Sequence, residues 1–163
     1  MSDQHAIDPV RTRVDAPLPA GIKIDVPAIT SLMERLAEHH RRFPFPRHQA
    51  VGYRFYFDNP FFGCYDASVL FSMLLEFRPH RVIEVGCGHS SCLLLDTSER
   101  FFDGALKLTF IDPSLDNLKH HFGDGGAGEA LLISSPVQDV PRETFEQLEE
   151  NDILFLDSSR LLE

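Results

Sequence analysis

Arg81-Val82-Ile83-Glu84-Val85-Gly86-Cys87-Gly88-His89-Ser90-Ser91 passes from an apolar segment straight into two glycines and two serines. Val82, Ile83 and Val85 read as a strand buried on both faces, the pattern of a parallel sheet covered by helices. Gly86 and Gly88 let the backbone turn sharply and leave no side chain between it and a ligand. Ser90 and Ser91 are then expected to cap a helix, whose free N–H groups and positive dipole end favour a carboxylate or phosphate. A Gly-x-Gly turn alone is a weak motif, and two acidic residues narrow it. Glu84 ends an apolar strand, where a carboxyl needs water, a donor or a cation, and a cationic ligand suits it. Asp112 ends the apolar run Leu108-Thr109-Phe110-Ile111, where a carboxylate can accept both hydroxyls of a ribose.

Elements alternate around this motif. A helix over 66–78, capped by Asp66 and stopped by Pro79, precedes the strand 81–85. Downstream follow a helix 91–102, a strand 107–111, a short helix 115–122, a strand 130–133, a helix 142–150 and a strand 153–156. This β-α-β-α-β-α-β order predicts an α/β protein with a parallel sheet. Right-handed crossovers place its strands in the order 3-2-1-4, with a ligand at the switch point between strands 1 and 4, above their carboxyl ends. Asp157 stands at that end of strand 4, where it could serve as a base, ligate a divalent metal, or merely cap the next turn through Ser158 and Ser159. No second ligand can be assigned, so no metal site is assigned.

Upstream, residues 1–22 carry Pro9, Pro17, Pro19 and Gly21 without apolar periodicity and read as a flexible arm. Residues 23–65 form a second unit. Ile29, Leu32, Met33, Leu36 and Ala37 line one face of a helix capped by Asp25, with Pro27 tolerated in its first turn. A connector rich in proline and aromatic residues follows from Phe43 to Tyr65. Its Tyr53, Phe55, Phe57, Phe61 and Phe62 either cover a sheet edge or helix face, or form a lid over a substrate pocket.

The stretch Glu84-Val85-Gly86-Cys87-Gly88-His89-Ser90 resembles the first motif of the class I S-adenosylmethionine-dependent methyltransferases, acidic-x-Gly-x-Gly-x-small. The resemblance spans residues 66–159 and implies a Rossmann-like fold. It implies that Gly86 and Gly88 approach the methionine portion of the cofactor, that Glu84 helps hold its amino group, and that Asp112 binds the ribose. Cys87, His89 and Ser90 fall in the same cofactor-binding segment. His89 either edges that pocket or is simply exposed. The adenine contact of such proteins falls here on residues 134–139, with Ser135 and Val137 as contacts and Ser135 in place of the acidic residue often found there. In detail the chain is similar to a bacterial small-molecule branch whose fourth strand ends in Asp-Ser-Ser-His, matched by Asp157-Ser158-Ser159 with Arg160 in the histidine's place.

Members of that branch continue through further strands and helices. Here only residues 157–163 follow the apolar run Ile153-Leu154-Phe155-Leu156, so 66–163 read as a partial domain lacking the C-terminal strands, from a shortened gene or a designed product. Strand 4 is then an exposed apolar edge, which two copies could pair to make a homodimer.

The formal net charge of -10 supplies no cluster of Lys and Arg for a phosphate backbone, and Arg41, Arg42 and Arg47 read as a solvated helix end. No nucleic-acid partner is expected. No stretch approaches the roughly 20 apolar residues of a membrane span, and the N-terminus lacks a signal-peptide core, so a cytoplasmic protein without a membrane partner is expected. The 3 cysteines, Cys64, Cys87 and Cys92, show no CxxC spacing and read as buried free thiols. The function expected is S-adenosylmethionine-dependent methyl transfer to a small-molecule acceptor. The alternatives are an NAD-dependent oxidoreductase, for which Ser91 occupies the usual third glycine position, and a non-catalytic fragment that binds S-adenosylmethionine.

Overall fold

The structure, a computed structural model, describes residues 23–115, 122 and 126–157. The expected arm 1–22 and most of the expected helix 115–122 lie outside the described residues.

Helix α1 (Val26–His40) begins where expected: Asp25 Oδ1 accepts the Ala28 N–H at 3.0 Å and Pro27 sits in the first turn. Of its apolar face only Leu36 is buried, whereas Ile29 and Met33 are exposed. The helix lies along α2 (Cys64–Phe77) and meets it with only part of that face. Arg35 and His39 pair across the contact with Glu76.

Helix α2 starts two residues before the expected position. Gly63 is its N-cap, and Asp66 lies in the first turn rather than capping it. Its apolar face carries the helix this far: Ala67, Leu70, Phe71, Leu74 and Leu75 are all buried, and Arg78 ends it in the left-handed region at φ 47° before Pro79.

Strands β1 (Arg81–Val85), β2 (Lys107–Ile111), β3 (Leu131–Ile133) and β4 (Ile153–Leu156) form one parallel sheet in the order β3-β2-β1-β4. The expected α/β architecture with flanking helices is therefore present, and the Rossmann-like switch falls between β1 and β4. Alternation sends Val82, Leu108 and Phe110 into the larger core, with Ile153 and Phe155 packed against it. Ile83, Val85 and Ile111 face a smaller cluster with Val140 on the other side. On that side β4 is less covered than its sequence suggests, since Leu154 and Leu156 are 43% and 56% exposed.

Between β1 and β2 runs α3 (His89–Phe101), with Gly88 as N-cap. Ser90 and Ser91 thus lie inside the first turn, not ahead of it. The expected helix 142–150 is replaced by a short 3₁₀ turn, Arg142–Thr144, and further turns. Glu143, Glu146, Glu149 and Glu150 would repel one another at helical spacings, three of them toward the negative end of a dipole, and only Phe145 and Leu148 could anchor the helix to the sheet. Asp152 instead organises this segment, accepting the N–H groups of His80, Arg81 and Glu149 at 2.9–3.0 Å.

The aromatic connector is mostly core. Phe45, Phe55 and Phe62 are buried, Phe43 and Phe57 stack at 4.9 Å, and Phe43, Phe45 and Phe55 pack edge-on around one another. Arg54 and Asp96 fasten it to α3. Asp96 Oδ2 accepts the N–H groups of Arg54 and Phe55 at 2.8 and 2.9 Å, and the Arg54 guanidinium pairs with Asp96 and Glu99. Cys92 is buried, Cys87 half-buried and Cys64 exposed, and none of the three forms a disulfide among the described residues; the expected burial fails for Cys64, which begins α2 on its open side.

Candidate functional site

The crevice at the carboxyl ends of β1 and β4 begins with the glycine turn. Gly86 adopts φ 85°, a conformation that favours glycine, while its N–H continues the ladder to Ile111 O at 3.0 Å. A methyl group added at Gly88 would meet no heavy atom within 4 Å. Space for a ligand therefore lies against the backbone at Gly88.

Beneath the turn runs a short relay. The Gly88 N–H donates to Ser91 Oγ at 3.0 Å, and the Ser91 hydroxyl donates to Glu84 Oε2 at 2.5 Å. Ser91 therefore works from inside the helix, tying the strand's carboxyl to the turn. Glu84 is fully buried, and its second oxygen, Oε1, has no hydrogen-bond partner among the described residues. Burial pushes its pKa up to about 8; the Ser90 and Ser91 hydroxyls offset part of the rise, and the charges of Asp157 and Asp112 add to it. At neutral pH Glu84 mostly keeps its proton.

Asp112 sits directly across from the turn: Oδ2 accepts the Cys87 N–H at 3.2 Å and Oδ1 accepts the Ser114 N–H at 2.7 Å. Each oxygen retains acceptor capacity beyond these bonds. Asp157 extends the β1–β4 ladder, its N–H meeting Val85 O at 2.9 Å. Partial burial of its carboxyl, and then the nearby Asp66, hold its pKa above the usual carboxylate value. Burial, followed by Glu84, raises the Cys87 thiol far above its ordinary range, and Cys92 is pushed up to about 12, so neither is a thiolate nucleophile.

His89, the first residue of α3, is buried rather than exposed, with its ring 6.1 Å from that of Tyr56 and 6.0 Å from that of Phe61. Tyr56 and Phe61 of the connector thus lie beside the turn. Ser90 is buried behind the turn. The segment after β3 adjoins Asp112: the Asp112 and Ser135 N–H groups both donate to Ile133 O, at 3.2 and 3.1 Å, the half-buried Ser135 donates its hydroxyl to Pro136 O at 3.2 Å, and Val137 packs on the Ile83–Val85–Ile111 side of the sheet. Among the described residues no group of three or more His, Cys, Asp or Glu could hold a metal ion, and no helix is long and apolar enough to cross a membrane.

Sequence reasoning missed Arg54, Asp96 and Asn59, which position the connector. Their partners are set by tertiary contact, and Asp96 reads in the sequence as one more polar residue of a helix.

The fold defines an α/β protein with a parallel sheet whose switch point, between β1 and β4, adjoins the glycine turn. An uncharacterized protein of Archaeoglobus fulgidus is 36% identical over 100 residues, covering 61% of this chain and 44% of that protein. The chain thus matches less than half the length of that relative. No family model matches the chain, and no solved structure does.

Proposed function

We propose that the crevice binds S-adenosylmethionine and that the protein transfers its methyl group to a small-molecule acceptor. One observation carries this reading: a fully buried carboxyl, Glu84, keeps an unpartnered oxygen beneath a glycine turn that is open to a ligand. A buried polar atom without a partner costs on the order of 1–3 kcal/mol, which a ligand's ammonium group would recover. The residues also suit the rest of the cofactor. Asp112 offers acceptors for two ribose hydroxyls at the end of β2, and no side chain at Gly86 or Gly88 obstructs approach. When bound, S-adenosylmethionine supplies an electrophilic methyl on a sulfonium sulfur. The chain's own part is positioning, with Asp157 placed to accept a proton from the acceptor at its carboxylate. A pKa above the ordinary aspartate value makes it a better base than a solvated one.

Calorimetric titration of the full chain with S-adenosylmethionine and, in parallel, NAD tests the reading. Saturable heat with S-adenosylmethionine alone is expected. Heat with NAD alone would overturn it, and binding without transfer to any acceptor would leave a non-catalytic binding protein.

A further inference from the structure

Inside a helix a serine or threonine hydroxyl commonly turns back to a carbonyl four residues earlier. Thr30 does so to Val26 O at 2.9 Å, and Ser68 to Cys64 O at 2.7 Å. Ser91, the third residue of α3 and fully buried, does not. Its hydroxyl leaves the helix for the neighbouring strand, donating to Glu84 Oε2 at 2.5 Å, while its oxygen accepts the Gly88 N–H at 3.0 Å. One side chain thus joins β1, the glycine turn and α3.

A hydroxyl has a single proton to give. With that proton directed at Oε2, Oε2 is an acceptor, and a neutral Glu84 carries its own proton on Oε1. Oε1 is the oxygen without a hydrogen-bond partner among the described residues. Around the carboxyl, Ser90 on the same helix favours the ionised form without bonding Oε1, whereas Asp112 and Asp157, just past the ends of β2 and β4, oppose ionisation. Among the described residues no cationic side chain forms an ion pair with Glu84. A buried carboxyl in this setting ionises when a cation meets its free oxygen.

Resting on the cofactor reading above, we propose that Ser91 is a positioning residue that reserves Glu84 Oε1 for the cofactor's ammonium group and couples cofactor binding to the release of a proton. On binding at neutral pH the Oε1–H bond breaks, the proton passes to solvent, and the carboxylate left behind meets the ammonium group at Oε1 with Ser91 still bound at Oε2. The test uses the full chain and S-adenosylhomocysteine, which carries the same ammonium group and ribose, with calorimetry at pH 7 in phosphate and in Tris, two buffers of very different ionisation heat. The difference in heat counts the protons released: nearly one is expected for the wild type and none for Glu84→Gln. Ser91→Ala should weaken S-adenosylhomocysteine by about tenfold and move the rise of affinity with pH to higher pH, because ionised Glu84 then lacks its donor. Ser91→Cys keeps the volume and a weak donor, so it should fall between the two. A serine that served folding alone would leave the pH profile in place, so an unmoved profile in the variants overturns the assignment, as does wild-type binding without proton release. The proton count and the cysteine variant decide the matter even where Ser91→Ala does not fold. Failure to bind S-adenosylhomocysteine sinks the cofactor reading and this one with it, whereas binding without proton release sinks this one alone.

Discussion

Glu84→Gln should flatten the dependence of folding stability on pH. In the folded chain burial raises the Glu84 carboxyl from 4.5 to about 8, whereas the unfolded chain returns it to its ordinary value. Between those limits the folded state holds a proton that the unfolded state has released. Stability is therefore greatest below pH 4.5 as far as this group is concerned, declines as pH rises, and is fully lost once pH passes about 8. At about 1.4 kcal/mol per pH unit the whole window amounts to about 5 kcal/mol. Glu76, Glu99 and Asp152 shift the opposite way, held below their usual values, so their gain is complete above the ordinary carboxylate range. The interval from pH 5.5 to 8 thus isolates the buried carboxyl from them. Urea denaturation at half-unit steps across it should show the wild-type midpoint falling steadily, while Glu84→Gln, neutral throughout, keeps its own midpoint. A flat wild-type profile, or an equal slope in the variant, would refute the claim that this carboxyl is buried as an acid.

Adding S-adenosylmethionine should reverse that trend for binding: a cationic ligand favours ionised Glu84, so affinity rises with pH by up to about tenfold per unit toward pH 8, and a pH-independent Kd would contradict it. Asp96→Ala removes three hydrogen bonds, two of them from backbone N–H groups, and leaves the Arg54 guanidinium to Glu99 alone, an expected loss of about 2–4 kcal/mol in urea denaturation, whereas a loss under 1 kcal/mol would show that the connector needs no such anchor. Gly88→Ala places a methyl group in open space, so thermal stability should hold within about 0.5 kcal/mol while S-adenosylmethionine affinity falls by about tenfold; unchanged affinity would place the ligand elsewhere. Asp112→Asn keeps one acceptor of two and turns its NH2 toward one of the two backbone N–H groups, so calorimetry should find weaker S-adenosylmethionine binding and urea denaturation a loss of about 1 kcal/mol.

The strands and their order were legible because each is a short apolar run between breakers, and because β1 leads into a turn that only glycines permit at Gly86. The ends of the helices were less so. Asp66 and Ser90 have the chemistry of caps, yet α2 and α3 begin earlier at glycines, since burial of the flanking apolar residues outweighs a fraction of a kcal/mol in capping preference. Residues 142–150 carry helical spacing in their apolar positions, and their acidic repulsion together with the Asp152 turn prevailed.

Local order in the chain by itself determined the alternating elements, the parallel sheet of order 3-2-1-4, and the positions of Glu84, Gly86, Gly88, Asp112 and Asp157 at strand ends. All of these follow from periodicity and from backbone rules that act over a few residues. Tertiary structure alone decided the protonation of Glu84, the burial of His89 and the clasp of Arg54 on Asp96. Those properties depend on desolvation and on partners brought together across the fold, and no window of sequence contains both sides of such a contact.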